Sequence, residues 1–187
     1  MKRTALTIAA VALMLSSGAF AQGYIGAAGG SAKISADCAG TSTCDTTSTG
    51  WKAFGGYKFG PNWGAEVNYF DFGKATATLV GTGGTLSAEL KGTGLGAGVA
   101  FFGQFSPSWT GVARLGIAST KAKISGSLSG VSATDSETST NAYLGLGLGY
   151  LMSKNLSIDG AVDFSRIKYT GEKADVRLVS IGLTYSF

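Results

Sequence analysis

The sequence has no histidine, two prolines and two cysteines in 187 residues, and only 14% of its side chains are charged. Each shortage excludes something. Without histidine there is no Ser-His-Asp triad and no imidazole general base. Two cysteines alone cannot complete a structural zinc site. The basic residues form no run, so the electrostatic footprint of a nucleic-acid binder is missing. The formal charge of +4 drops to +2 once Lys2 and Arg3 are set aside with the leader described below. The one long apolar run is near the N-terminus, Ala5 to Leu15. Beyond it nothing approaches the roughly 20 apolar residues of a membrane helix.

That run belongs to an export signal. Lys2 and Arg3 form a positive n-region, residues 5–15 an h-region, and Ala19-Phe20-Ala21 a small-x-small cleavage site. Together they predict a signal peptide over residues 1–21, cleaved after Ala21. The mature chain, 22–187, has the length of one domain. In an exported chain, Cys38 and Cys44, close together in a polar stretch, predict a disulfide. No metal or other cofactor is expected.

What the chain has in excess is glycine, 30 residues, in company with alternating apolar residues. The last nine residues alternate without a break: Val179, Ile181, Leu183, Tyr185 and Phe187 against Ser180, Gly182, Thr184 and Ser186. A period of two means a strand with one apolar and one polar face. The same alternation recurs upstream over residues 50–59, 63–72, 86–102, 109–120 and 141–152, and residues 23–32 form a first strand too Gly-rich for its faces to be assigned from hydrophobicity alone. A seventh strand carries Ile158, Val162 and Phe164. The eighth spans 175–187. Connections alternate between short turns (60–62, 104–108, 153–155) and polar loops (34–49, 73–87, 121–140, 170–174). Aromatics gather near strand ends: Phe59, Trp63, Trp109, Tyr150 and Phe187 toward one, Trp51, Tyr69, Tyr143 and Phe164 toward the other. Membrane barrels show this loop asymmetry and two such belts. The fold class expected is therefore all-β, an eight-stranded antiparallel up-and-down transmembrane β-barrel. A soluble lipocalin-like barrel would need the opposite arrangement of faces.

The ending on Phe187, with Tyr185, Leu183, Ile181 and Val179 before it, resembles the C-terminal strand of bacterial outer-membrane barrels. In that family this segment is the signal read by the barrel-assembly machinery. Phe54-Gly55-Gly56-Tyr57-Lys58-Phe59, a short turn, then Glu66-Val67-Asn68-Tyr69-Phe70 looks like the second hairpin of the OmpA-like transmembrane domain, which carries a lumen glutamate at the position of Glu66. The resemblance covers the mature chain, without the peptidoglycan-binding domain of full-length OmpA. It implies a bacterial outer-membrane location, both termini periplasmic, a monomer, and contact with outer-membrane lipid and lipopolysaccharide. Relatives resembling OmpX or OmpW fit as well, and OmpW-like barrels are associated with passage of small hydrophobic molecules. Lipid A palmitoyltransferase and deacylase barrels rely on a histidine beside a serine, which this chain lacks, so no enzyme is expected.

By parity, Lys52, Lys58, Glu66, Arg114, Asp159 and Asp163 point into the lumen. Charges there must pair or stay wet. Glu66 with Arg114 is the expected central pair, and Lys52 and Lys58 have Asp159 and Asp163 as candidates. The inward glycines of strands four and six suggest small wet cavities. Eight strands leave an interior that side chains nearly fill, so a salt-bridged plug is the first expectation and a narrow pore the second. Lys121, Lys123, Lys168 and Lys173 in the outer loops are candidates for lipopolysaccharide phosphates. The function expected is a structural or surface-interaction role, in envelope integrity or adhesion through the outer loops. The alternative is a narrow pore for small solutes or small hydrophobic molecules.

Overall fold

A computed structural model describes residues 23–35, 43–81, 84–128, 131–169 and 172–187. The expected signal peptide and Cys38 lie outside the described residues; of Cys44 only the backbone is described.

The described residues form nine strands: β1 (Gly23–Ile34), β2 (Thr43–Asp45), β3 (Thr47–Lys58), β4 (Trp63–Gly81), β5 (Gly84–Gln104), β6 (Trp109–Leu128), β7 (Val131–Leu151), β8 (Leu156–Tyr169) and β9 (Glu172–Ser186). Eight of them close a barrel of antiparallel neighbours. The circle shuts where β1 meets β9, from Tyr24 opposite Ser186 to Ile34 opposite Val176. Closure leaves no unpaired edge in lipid, the condition for a sheet to cross a bilayer. The ninth, β2, is a short extra strand laid against β4.

The three turns at one end are tight. Ser106 Oγ accepts from the Trp109 amide at 3.1 Å, and Ser153 Oγ from the Leu156 amide at 3.2 Å. Such hydroxyl-to-backbone bonds mimic a further turn of chain. Asn62 and Asn155 tie two of these turns to neighbouring strands by donating to the carbonyls of Phe102 and Ser186.

At the other end, the expected loops are mostly strand. Residues 73–81 and 84–87 continue β4 and β5, and residues 121–128 and 131–140 continue β6 and β7. β6 runs for 20 residues and β7 for 21, about twice the 9–11 that a tilted crossing needs. Beyond Ala75 and Ala122, which are still buried, both faces of a hairpin can meet water. The apolar-polar contrast fades there, and a Ser/Thr-rich strand reads as a loop.

β4 also contains a break in register between Asp71 and Lys74. Gly73 sits there with φ +68, and its amide donates to Asp71 Oδ1 at 2.8 Å. This β-bulge inserts a residue and shifts the inward set from Phe70 and Phe72 to Ala75. A side chain at Gly73 would be strained and would meet Ser48 and the Thr49 carbonyl.

Outward faces carry the large apolar residues. Leu95, Ile117 and Ile181 are each more than 60% exposed. Trp63 packs against Phe101, Trp109 against Tyr150, and Tyr185 against Phe187 at the short-turn end; Trp51 packs against Tyr69 toward the other. Tyr143 does not join that second belt. It has the parity of Gly145 and Gly147 and is buried in the lumen.

Candidate functional site

The inward residues fill the lumen in tiers, and the glycines make this possible. Each long polar side chain lies opposite a small residue on the next strand: Glu66 faces Gly56 and Gly98, Arg114 faces Ala100 and Gly145, and Tyr143 faces Gly116. The missing side chains are the room into which the long ones extend. A Cβ on Gly145 would lie 2.6 Å from Asp163 Oδ1 and 2.8 Å from Tyr143 Oη. One on Gly96 would meet the Phe70 ring at 3.2 Å. Gly96 and Gly145 thus accommodate protein atoms, where wet cavities were expected, whereas Gly147 and Gly149 do border open space.

The central tier consists of two matching units. In the first, Glu66 accepts from Arg114 Nε at 2.7 Å and from Tyr24 Oη at 2.9 Å. In the second, Asp163 accepts from Lys52 Nζ at 2.5 Å and from Tyr143 Oη at 2.7 Å. Each carboxylate therefore holds one cation and one phenol. Lys52 and Asp163 are each 1% exposed. Phe54 lies between the units, its ring centroid 5.1 Å from the Arg114 guanidinium and 5.5 Å from Lys52 Nζ. Both distances suit cation–π attraction.

Lys58 and Asp159, the other two expected lumen charges, do not pair. The Lys58 ammonium lies 4.5 Å from the Phe102 ring centroid, and Asp159 accepts from Ser157 Oγ. Both line a vestibule of about 310 Å³ at the short-turn end. Above the central tier, away from the vestibule, the lumen is apolar. Phe70, Phe72, Ile34, Ile167, Val176 and Leu178 form one buried cluster with neighbouring alanines. Phe70 and Phe72 stack at 5.5 Å. Next to Lys52 and Arg114 a void of about 10 Å³ remains, room for about one water.

Sequence reasoning missed Tyr24, Tyr143 and Phe54 as parts of the charge tier. Parity alone marks them, since Tyr24 shares the face of Gly26 and Ala28, Phe54 that of Lys52, and Tyr143 that of Gly145. It also missed the apolar plug, because Ile34, Phe72 and Ile167 fall in stretches whose outward positions are polar. Among the described residues no group of acids or cysteines is arranged to hold a metal.

In the long hairpins, Lys121, Lys123 and Lys173 are exposed. Lys168 pairs with Glu137 at 3.1 Å. The C-terminal strand shows Val179, Ile181, Leu183, Tyr185 and Phe187 outward, and the Phe187 amide donates to the Gly23 carbonyl at 2.9 Å.

A closed antiparallel barrel with an apolar exterior, aromatic belts and a polar, filled interior defines an integral outer-membrane β-barrel protein. The chain belongs to the outer membrane protein beta-barrel domain family, which it matches over residues 4–187. Its location is accordingly the bacterial outer membrane. Solved structures agree in fold. Ail, the attachment invasion locus protein of Yersinia pestis, is 20% identical, with 89% of this chain and 99% of that chain covered and a TM-score of 0.55. Ail in complex with the heparin analogue sucrose octasulfate is 22% identical over the same shares, also with a TM-score of 0.55. The outer membrane protein OprG of Pseudomonas aeruginosa is 20% identical, with 89% and 96% covered and a TM-score of 0.60. At these identities the likeness concerns the fold alone. No curated protein matches the chain by sequence.

Proposed function

We propose that this barrel is a non-conducting, non-enzymatic scaffold of the outer membrane that acts through its outward hairpins. One observation carries the reading: the lumen is closed twice, by a charge tier in which each carboxylate holds one cation and by an apolar plug above it. The short-turn end, with Gly23 and Phe187, faces the periplasm, and the long hairpins face outside, as the loop asymmetry of such barrels implies. The outward C-terminal strand serves as the assembly signal, the barrel acts as a monomer, and Cys38 and Cys44 form a disulfide in the first outer segment.

The test is conductance of the refolded mature chain in a planar lipid bilayer, with folding verified by a heat-dependent gel shift. Silence is expected. Reproducible conductance steps that change in Glu66→Ala would establish the pore reading, for which the open vestibule is the supporting feature. The surface role rests on the exposed lysines Lys121, Lys123 and Lys173 of the hairpins. They suit polyanions such as lipopolysaccharide phosphates, and the sulfated ligand of Ail makes immobilised heparin a practical probe. Salt-sensitive retention that is lost in Lys121→Gln/Lys123→Gln is the expected result.

A further inference from the structure

The barrel wall is not uniformly zipped. The β6–β7 ladder continues to Leu128 opposite Val131, and β8–β9 to Tyr169 opposite Glu172. Between them the β7–β8 ladder stops at Leu144 opposite Phe164. Beyond that point side chains bridge the split, since the Arg166 carbonyl accepts from Thr120 Oγ1 at 2.9 Å and from Asn141 Nδ2 at 3.1 Å.

Outside this seam lie two grooves in line. The upper one, of about 640 Å³, has Leu115, Leu144 and Phe164 on its apolar side and Lys33, Arg166 and Arg177 on its polar side. The lower one, of about 690 Å³, continues down the same strands along Leu146, Leu148, Gly160, Val162 and Val179. At Gly160 nothing stands within 4 Å of where a Cβ would be, so the trough floor is open.

The charges at its head are unusual. Lys33 on β1 and Arg177 on β9 are direct cross-strand partners, both outward. Like charges directly opposite each other destabilise a sheet. Among the described residues neither has an ion-pair partner, and the nearby Asp175 is engaged by Arg166 at 2.7 Å. Arg177 stands two residues above Val179, at the upper limit of the apolar band, where headgroups begin.

We propose that this trough is a fixed seat for one lipid of the surrounding leaflet whose headgroup carries phosphate. The acyl chain lies along the β7–β8 seam over Gly160. The phosphate bridges Lys33 and Arg177 and neutralises their repulsion, as charge-assisted hydrogen bonds to an anion do. The inference rests on the reading of the exterior as lipid-facing.

The test is native mass spectrometry of the mature chain in detergent, titrated with phosphatidic acid or with diacylglycerol of the same chains. One phosphatidic acid is expected to be retained where diacylglycerol is not. Lys33→Gln/Arg177→Gln should weaken it by about tenfold, the loss expected for a charge-assisted contact at a half-exposed site. Gly160→Leu, which fills the trough, should also weaken it. Lys154→Gln, an exposed lysine in a turn at the opposite end of the barrel, should leave binding unchanged. Arg177→Gln alone serves if the double variant does not fold. Equal retention of diacylglycerol, unchanged binding in the charge variants, or displacement of the lipid by inorganic phosphate would each overturn the proposal. A heat-dependent gel shift with no lipid seat removes this inference alone, whereas a chain that stays dispersed without detergent removes the membrane reading itself.

Discussion

Replacing Asp163 with Asn tests the central tier most directly. The substitution keeps the shape and an oxygen that can accept from Tyr143, but it removes the charge facing Lys52. That ammonium is 1% exposed, and its carboxylate partner is 2.5 Å away. At an effective interior dielectric near 20, opposite charges even 4 Å apart attract by about 4 kcal/mol. The nearest compensation is the Phe54 ring at 5.5 Å, and a desolvated cation–π contact returns about 2 kcal/mol. At the actual, shorter separation the lost attraction is larger still, and breaking a buried pair from one side leaves a net loss of about 3–5 kcal/mol. Lys52→Met on the same background removes the stranded cation, so most of that loss should return. The assay is urea unfolding in lipid vesicles, followed by Trp51, Trp63 and Trp109 fluorescence. A single-variant loss below about 1 kcal/mol, or a double variant as unstable as the sum of its parts, would show that these charges are hydrated independently and that the tier is not a plug.

Other outcomes follow from the same geometry. Tyr143→Phe removes one donor to Asp163 and should cost about 1.5–3 kcal/mol in the same unfolding experiment, the range for hydrogen bonds to charged groups. Gly116→Val should prevent the heat-dependent gel shift, because a Cβ there meets the Ala97 carbonyl and the Gly98 Cα at 2.7 Å on the adjacent strand. If Cys38 and Cys44 are joined, the purified mature chain should resist alkylation until it is reduced, and Cys44→Ser should expose one reactive thiol. Glu66→Gln should lower stability as Asp163→Asn does, since Arg114 is only 6% exposed.

The strand count of the barrel, its faces and the lumen charges were legible because lipid and a packed lumen impose opposite demands on alternate residues. Lys52, Glu66, Arg114 and Asp163 stand out as charges inside runs such as 51–59 and 109–117 whose other face is apolar. Pairing was less legible, since it depends on how the strands stagger around the barrel. Register brings Asp163 beside Gly145 and so into reach of Lys52 and Tyr143, while Lys58 and Asp159 come to rest in the vestibule. Tyr143 was misplaced because an aromatic near a strand end suggests a belt, although its parity with Gly145 and Gly147 puts it inside. The hairpin extensions were hidden for a different reason. In water neither face of Ser119 to Leu128 has to be apolar, so the pattern that marks a strand weakens where lipid ends. The bulge at Gly73 then shifts parity by one residue, a change that alternation cannot announce in advance.

The two tiers divide the work of closing the lumen. An apolar plug alone would seal it but would place few constraints on stagger, because Phe, Ile and Leu side chains pack in many arrangements. The charge tier is selective in the opposite way. Glu66 must meet an arginine on β6 and a tyrosine on β1, and Asp163 a lysine on β3 and a tyrosine on β7. Shifting either partner strand by one residue would turn that charge outward into lipid, where it costs about 2–4 kcal/mol near the midplane. Between them the two units tie together β1, β3, β4, β6, β7 and β8, six of the eight barrel strands. The charged residues thus fix how the barrel closes, and the apolar residues above them fix that it stays shut. Exchanging both units for apolar side chains should therefore leave stability nearly intact, as buried pairs replaced whole often do, while broadening the folded state into more than one register. Backbone amide resonances in detergent micelles would report this: doubled peaks in the six strands that the units tie are expected, and a single sharp set would assign register to the hairpin turns alone.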